Sequence, residues 1–341
     1  MKNNDLNKKN ILIESGGGVG DLIMFTPALR KLKQLYPTCH ITFLTNETNA
    51  DVLRRLSYID QVVTIKRHKL FGRLRVLPAL CKQDYMIFTE WQPHLMLLSW
   101  LLLLPNRYSV PRNGNPISNT LDKKIINTVF TNTDFAAISN AKIISEMLGI
   151  SLDGDFSKCD VSLPNLHEKN ATDNLLKEIG IKENEKFIAF SLFTGDESRN
   201  WPIDKAKKLI NDIKMKYNLP VVLIGNQDGR IDSNTINSLN LIKKTTIMEF
   251  IEVISRSVCL ISPDSGPIHV AGALNIPCVA LFSRDLPSRW APRTNCHPIY
   301  LNYPCSPCNS DVYKSCPYNY KCIRDISEKS VLNELDIILK R

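Results

Sequence analysis

Near its amino terminus the chain reads Ile11-Leu12-Ile13-Glu14-Ser15-Gly16-Gly17-Gly18-Val19-Gly20-Asp21, and this stretch carries the clearest structural signal. The three apolar residues predict a short buried strand, and the glycines that follow predict a tight turn. A helix is predicted next, because apolar residues recur at helical spacing before Pro37: Leu22, Phe25, Leu29, Leu32 and Leu35. A strand that runs through a turn into a helix is the opening unit of a parallel sheet with helices on both faces.

The same alternation of strand and helix repeats along the chain and starts afresh near residue 187. The predicted strands are His40–Leu44, Gln61–Ile65, Tyr85–Phe88, Phe187–Leu192, Val221–Ile224, Val258–Ile261 and Cys278–Phe282. The predicted helices include Ala50–Leu56, Ala136–Leu148 and a buried helix in the apolar run Leu95–Leu104. We therefore expect an α/β protein of two doubly wound, Rossmann-like domains that face each other across a cleft. The expected boundaries are residues 1–164, residues 165–325, and residues 326–341 for a C-terminal helix.

Composition narrows the class of protein. With 341 residues, 43% hydrophobic and 23% charged, the chain is neither disordered nor fibrous. The longest apolar run is the ten residues Leu95–Leu104, whereas a helix needs about 20 to span a bilayer. The apolar stretch Ile11–Ile13 is too short for a signal peptide, which predicts a cytoplasmic protein. The net charge of +9 favours anionic partners, and we expect the densest basic stretch, Lys66–Arg75, to face an anionic acceptor or the membrane surface that bears it.

Three segments follow predicted strands, at the edge where open parallel sheets bind ligands. They are Gly16–Asp21, Phe193–Pro202 and Ser262–His269. In the first, glycines such as Gly18 and Gly20 let backbone atoms approach a ligand closely, although a tight turn also explains them.

Asp21 indicates which ligand the first segment takes. A carboxylate at a helix start can simply stabilise the helix. The glycine spacing is not that of a dinucleotide-binding turn, and Asp21 would repel a pyrophosphate, so a nicotinamide cofactor is disfavoured. Glu47, after the second strand, could still hold a ribose hydroxyl, and a nicotinamide-dependent oxidoreductase stays open as an alternative.

The other two segments offer groups that suit an anion. In the second, beside Thr194, Arg199 could clamp a phosphate, or be a solvated loop arginine. The third places small residues at a helix start that suits a diphosphate: Asp264, Ser265 and Gly266, with His269 one turn later. Helix capping and a buried core histidine are the simpler explanations of these residues.

Taken together, these residues resemble a known family. Gly20-Asp21 with Thr26-Pro27, Arg199-x-Trp201-Pro202, Asp264-Ser265-Gly266-Pro267-x-His269 and Arg289-Trp290-x-Pro292 resemble the heptosyltransferases of glycosyltransferase family 9, over about residues 10–325. The resemblance implies the GT-B fold and inverting transfer of a heptose from an ADP-sugar to the lipopolysaccharide inner core. It implies an acceptor-binding first domain and a nucleotide-sugar-binding second domain.

The resemblance also assigns roles to residues. Asp21 matches the family's proposed general base, and Arg199 stands where members often have a lysine that contacts the phosphates. Asp264–His269 matches the loop that holds the diphosphate of the donor. No catalytic metal is expected, because protein groups would neutralise the leaving diphosphate. One departure is Ser283–Pro287, where the family usually reads Gly-Pro-Thr-Asp-Pro, and Arg284 adds a charge there.

A cysteine cluster lies in the segment 305–322. Cys305, Cys308, Cys316 and Cys322 have a spacing that suits four thiolates on one zinc or iron ion, and reduced thiols are the alternative. Similar clusters occur in relatives that glycosylate autotransporter proteins and hold iron. A protein acceptor is therefore a second possibility beside the anionic lipopolysaccharide core. A nucleic-acid partner is not expected, because basic residues do not gather around the cysteines.

Overall fold

A computed structural model describes residues 4–65, 76–89, 93–109, 124–125, 135–226, 239–308 and 316–340. The chain divides into two compact units, Met1–Ser162 and Leu163–Arg341. None of the described helices is both long enough and apolar enough to cross a membrane. The basic stretch Lys66–Arg75 lies outside the described residues, so its expected role stays a prediction.

The first unit is built on a six-stranded parallel sheet in the order β3-β2-β1-β4-β5-β6. Its strands are β1 (Asn10–Glu14), β2 (His40–Asn46), β3 (Gln61–Ile65), β4 (Tyr85–Phe88), β5 (Arg107–Ser109) and β6 (Lys124–Ile125). Its helices are α1 (Val19–Ile23), α2 (Thr26–Leu35), α3 (Leu77–Leu80), α4 (Pro93–Leu101) and α5 (Ala136–Leu148). The strand order reverses between β1 and β4, so the carboxyl end of β1 is the switch point where such sheets bind ligands.

The second unit repeats this plan with the strand order β12-β11-β10-β7-β8-β9. Its strands are β7 (Ile188–Ser191), β8 (Val221–Ile224), β9 (Leu239–Asn240), β10 (Cys259–Pro263), β11 (Cys278–Phe282) and β12 (Cys296–Tyr300). Its helices are α6 (Leu166–Glu178), α7 (Ile203–Tyr217), α8 (Ile247–Arg256), α9 (Gly266–Leu274), α10 (Pro287–Trp290), α11 (Lys321–Arg324) and α12 (Glu328–Leu339). The switch point lies between β7 and β10. The expectation of two doubly wound parallel sheets is confirmed.

The helix predicted after the glycine turn is two helices, because Pro27 interrupts it. Proline lacks the N–H that would bond the carbonyl of Ile23, and its ring clashes with that carbonyl in a continuous helix. Instead, the hydroxyl of Thr26 donates to the carbonyl oxygen of Ile23 at 2.7 Å, and α2 starts there. The helix predicted at Ala50–Leu56 is also wrong, since a short 3₁₀ helix covers Glu47–Val52.

The hydrophobic core of the second unit includes residues of the C-terminal helix. Val331, Leu335 and Ile338 of α12 are buried together with residues of β7, β8 and α7. Trp201 is buried in the same cluster, and its indole N–H donates to the carbonyl oxygen of Ile326 at 3.1 Å. The C-terminal helix is thus packed into the second unit.

Candidate active site

The glycine turn holds Asp21 in a defined position at the switch point of the first sheet. Gly18 precedes α1 in an extended conformation, and Asp21 is the third residue of the helix. The backbone N–H of Gly18 donates to carboxylate oxygen Oδ2 of Asp21 at 2.8 Å. This bond is the helix-stabilising contact, and it also fixes the direction of a half-buried carboxylate. Gly20 is buried within the helix itself.

Position 17 requires glycine because a side chain there would clash with Asp21. A Cβ atom at this position would lie 2.6 Å from Cβ and 2.7 Å from Oδ2 of Asp21. Because Cβ of Asp21 is bonded directly to the helix backbone, it cannot move aside as the end of a flexible side chain could. The glycine therefore makes room for the carboxylate rather than for a left-handed turn.

Side chains from the end of the second strand and from the 3₁₀ helix after it hold the turn in place. The Asn46 amide donates to the Gly16 carbonyl oxygen at 2.6 Å, and that of Asn49 donates to the Gly17 carbonyl oxygen at 3.1 Å. Glu14, the last residue of β1, is a buried carboxylate that our sequence reasoning missed. A charged residue that ends an otherwise apolar buried strand was the available signal.

Replacing Gly17 by alanine should therefore displace Asp21 and destabilise the first unit. We expect a loss of about 1–3 kcal/mol in the free energy of unfolding, as for other overpacked sites. Urea unfolding of the Gly17→Ala variant measures it. Gly195→Ala is the matched control, because a Cβ at Gly195 meets no atom within 4 Å. Equal stability of the two variants would contradict the steric argument.

The loop after β7 is closed by its own hydrogen bonds. Asn200 Oδ1 accepts from the backbone N–H of Thr194 at 2.8 Å, and Asp196 Oδ1 accepts from the backbone N–H and the hydroxyl of Ser198. A 3₁₀ turn then places Arg199, whose Nη1 donates to the carbonyl oxygen of Asp264 at 2.9 Å. The structure thus brings the second and third predicted segments into direct contact.

The third segment joins β10 to α9. Asp264 and His269 are buried, and Ser265 precedes the helix in an extended conformation, with its hydroxyl donating to the carbonyl oxygen of Pro263 at 3.1 Å. Gly266 is the first residue of α9. The ring of His269 packs edge-on against that of Trp290, with 6.4 Å between the ring centroids.

Polar atoms are buried here without partners among the described residues. They are Nε of Arg199, Nδ1 of His269 and the hydroxyl oxygen of Ser283. Burying such atoms unpaired is costly, so a ligand that pairs with them gains the corresponding energy. Burial, followed by the positive charge of Arg199, lowers the pKa of His269 to about 4, so the imidazole is neutral near pH 7. Of these two side chains, Arg199 and not His269 therefore carries the positive charge near pH 7.

Arg284, which marks the departure from the family pattern, belongs to this site. Its Nη1 lies 2.6 Å from Oδ2 of Asp196. Burial opposes ionisation of Asp196, but hydrogen bonds from Ser198 and the charges of Arg284 and Arg199 outweigh it and lower the pKa of Asp196. Our sequence reasoning did not single out Asp196 or Ser283. Asp196 does not follow from a motif, because its ion pair joins it to Arg284, which is distant in sequence.

The cysteine segment contacts the same loop. The backbone N–H of Cys308 donates to the carbonyl oxygen of Arg284 at 2.9 Å. Burial, followed by the charges of the Cys308, Cys305 and Cys316 thiolates, raises the pKa of Cys322 to about 11. Within the described ranges, no three His, Cys, Asp or Glu side chains are arranged to hold a metal ion. The metal remains a prediction, and residues 309–315 lie outside those ranges.

Two doubly wound parallel sheets are the architecture of the GT-B class of glycosyltransferases, and the second sheet carries Arg199 and buried polar atoms without partners among the described residues at its switch point. The model of glycosyltransferase family 9 (heptosyltransferase) matches residues 117–319, and the chain belongs to this family. The structure of a family 9 glycosyltransferase from Veillonella parvula is similar over 99% of each chain, with a TM-score of 0.79 and 18% identity.

Two further proteins are similar. Lipooligosaccharide heptosyltransferase 2 of Campylobacter jejuni is 30% identical over 108 residues, which cover 31% of this chain and 33% of that protein. The chain thus spans about a third of the length of this relative. The iron-containing dodecameric glycosyltransferase TibC of enterotoxigenic Escherichia coli has a TM-score of 0.63 at 13% identity, covering 98% of this chain and 76% of that one. TibC has also been solved with ADP-D-β-D-heptose. The nicotinamide alternative gains no support.

Proposed function

We propose that this protein transfers a heptose from an ADP-heptose donor to a lipopolysaccharide inner-core acceptor, with inversion at the anomeric carbon, on the cytoplasmic side of the membrane. The observation that carries the proposal is the group of buried polar atoms at the switch point of the second sheet. Nε of Arg199 and Nδ1 of His269 are buried there without partners, beside the start of α9. Family membership and the donor seen with TibC support the choice of ADP-heptose.

The second unit would hold the donor. Arg199 would pair with the diphosphate, the backbone N–H groups of Ser265 and Gly266 would donate to its oxygens, and neutral His269 would add one hydrogen bond. These groups stabilise charge as it develops on the leaving ADP. They neutralise that charge without a divalent ion, so transfer should continue in the presence of EDTA.

The first unit would hold the acceptor and activate it. Asp21 would accept the proton of the acceptor hydroxyl as its oxygen forms a bond to the anomeric carbon. The bond from that carbon to the diphosphate breaks on the opposite side, and its electron pair leaves with ADP. The hydrogen bond from Gly18 keeps the carboxylate oriented while it takes up the proton.

A donor screen tests this proposal. The purified chain is incubated with a truncated core acceptor and with ADP-heptose, ADP-glucose, UDP-glucose or GDP-mannose in turn, and products are identified by mass spectrometry. We expect the mass of one added heptose with ADP-heptose alone. Equal transfer from a UDP- or GDP-sugar would contradict the donor assignment. Transfer of heptose to a protein but not to the core acceptor would contradict the acceptor assignment.

A protein acceptor is the second candidate, and the four-cysteine segment is the observation that favours it. The structurally similar TibC is an iron-containing glycosyltransferase. Four soft sulfur ligands suit zinc or iron, and Cys305, Cys308, Cys316 and Cys322 would hold the ion. Such an ion would stabilise the segment, and through the hydrogen bond from Cys308 to Arg284 it would also stabilise the proposed donor site.

Protein purified without chelators should therefore contain about one zinc or iron ion per chain. Elemental analysis measures it directly. The Cys305→Ser/Cys308→Ser variant should lose the ion and melt at a lower temperature, while its affinity for ADP changes less. Cys81→Ser, which removes an exposed cysteine outside the segment, is the control. Metal-free wild-type protein with the same melting temperature as the double variant would contradict the metal.

A further inference from the structure

An exposed apolar patch lies at the end of α4 and in the turn after it. It consists of Leu97, Trp100, Leu101, Leu102 and Leu103. Leu103 is 85% exposed and Leu101 is 62% exposed. Thirteen large hydrophobic side chains are exposed among the described residues, and five of them fall within these seven consecutive positions. This concentration differs from the ordinary scatter of single apolar residues over a protein surface.

The helix beneath the patch is firmly attached to the first unit. Leu95 and Met96, on the same helix, are buried against Met86 and Phe88 of β4. The prediction that the whole run Leu95–Leu104 is buried is therefore wrong, because only one side of the helix meets the sheet. The exposed side is presented by a fixed element.

The backbone of the turn after α4 keeps Leu103 exposed. Leu103 has a φ of 51°, in the left-handed region that leucine rarely adopts. Its N–H donates to the carbonyl oxygen of Trp100 at 3.0 Å, and the N–H of Leu104 donates to that of Ser99 at 3.1 Å. Arg107 is buried and donates from Nη1 to the carbonyl oxygens of Ser99 and Leu104. The structure thus maintains an unfavourable backbone conformation that exposes a leucine.

Basic residues lie near the apolar patch: Arg107 lies beside it in the structure, and others are close to it in sequence. Trp100, Leu103 and Arg107 line an open depression of about 440 Å³, and Nε of Arg107 has no partner among the described residues. In sequence, positions 61–121 contain eight Lys or Arg residues and two acidic residues, Asp84 and Glu90. Ile65 and Val76, which flank the basic stretch Lys66–Arg75, pack in the same core cluster as the buried side of α4.

We propose that the apolar patch docks this protein on the surface of an anionic phospholipid bilayer. Leucines with a tryptophan, in a stretch of sequence (61–121) whose net charge is +6, match the apolar interior and the anionic headgroups of a bilayer interface. With nine residues α4 is too short to cross the bilayer, so it lies at the interface. The inference does not rest on the proposed transferase activity.

Vesicle binding of the full chain, without donor or acceptor, tests this proposal. The protein should co-float with phosphatidylcholine vesicles that contain phosphatidylglycerol, and bind pure phosphatidylcholine vesicles more weakly. The Leu101→Gln/Leu103→Gln variant should lose at least ~10-fold in partition coefficient, because two apolar side chains no longer enter the interface. Leu166→Gln/Met215→Gln is the matched control, since these side chains are 73% and 83% exposed in the second unit, and its partitioning should be unchanged.

A second measurement follows Trp100 itself. Its fluorescence, taken as the difference between wild type and Trp100→Phe, should shift to shorter wavelength on anionic vesicles and be quenched by brominated acyl chains. Unchanged partitioning of the Leu101→Gln/Leu103→Gln variant would overturn the proposal, as would absence of quenching. If that variant keeps its vesicle binding but changes from oligomer to monomer in sedimentation velocity, the patch is a contact between copies of the chain.

Discussion

Replacing Asp21 by asparagine should lower the turnover number for heptose transfer by about 10²–10⁴-fold, the usual contribution of a general base. An amide cannot take up the acceptor proton, whereas a carboxylate can. The affinity for ADP should be retained, because Asp21 lies in the first unit and the proposed diphosphate contacts, Arg199 and Asp264–His269, lie in the second. Steady-state kinetics and ADP titration on one preparation of Asp21→Asn measure both quantities.

The Asp21→Asn variant also distinguishes a catalytic role of Asp21 from a role in stabilising the helix. The side-chain oxygen of asparagine can still accept the N–H of Gly18, whereas the charge that interacts with the helix dipole is lost. That loss is at most about 1 kcal/mol in the free energy of unfolding. Asp204→Asn, which removes an exposed carboxylate from the first turn of α7, is the control and should keep full turnover. A folded Asp21→Asn protein with near-normal turnover would refute Asp21 as the base.

The order of strands and helices was predictable from the sequence because it depends on local patterns. Apolar runs such as Val221–Ile224 and Cys278–Phe282 stand between turn residues, and the structure places strands at those bounds. The edge strand Cys296–Tyr300 was not predicted, because Pro298 interrupts its pattern. A proline without an N–H is tolerated at a sheet edge, and only the sheet topology shows that this strand lies there.

The candidate site was predictable to the extent that its residues follow strands directly. Arg199 and the Asp264 turn were expected at one sheet edge, and the hydrogen bond between them brings them together. The pairing of Asp196 with Arg284 was not predictable, because it joins loops 88 positions apart that meet only when β7 and β11 are in one sheet. Local pattern thus indicates the edge where ligands bind, whereas the partners of each charge follow from the order of strands.

Replacing Arg199 by alanine should weaken ADP binding by about 10–150-fold, which corresponds to the roughly 1.5–3 kcal/mol of a charge-assisted hydrogen bond. The guanidinium is held by the Asp264 carbonyl through Nη1, while its buried Nε has no partner among the described residues, which leaves that donor for a phosphate oxygen. Isothermal titration with ADP gives the dissociation constant, and the KM for the acceptor should stay unchanged because the acceptor is assigned to the other unit.

Two further variants distinguish diphosphate binding from support of the loop. Arg199→Lys keeps the positive charge and should recover most of the ADP affinity, whereas loss of loop support alone would leave it as weak as Arg199→Ala. Arg256→Ala is the matched control, because Arg256 pairs with Glu252 and Asp173 beside the amino end of β10, whereas Arg199 contacts the segment at its carboxyl end. It should lower stability but leave ADP affinity intact. An Arg199→Ala protein that binds ADP as tightly as wild type would remove Arg199 from the donor site.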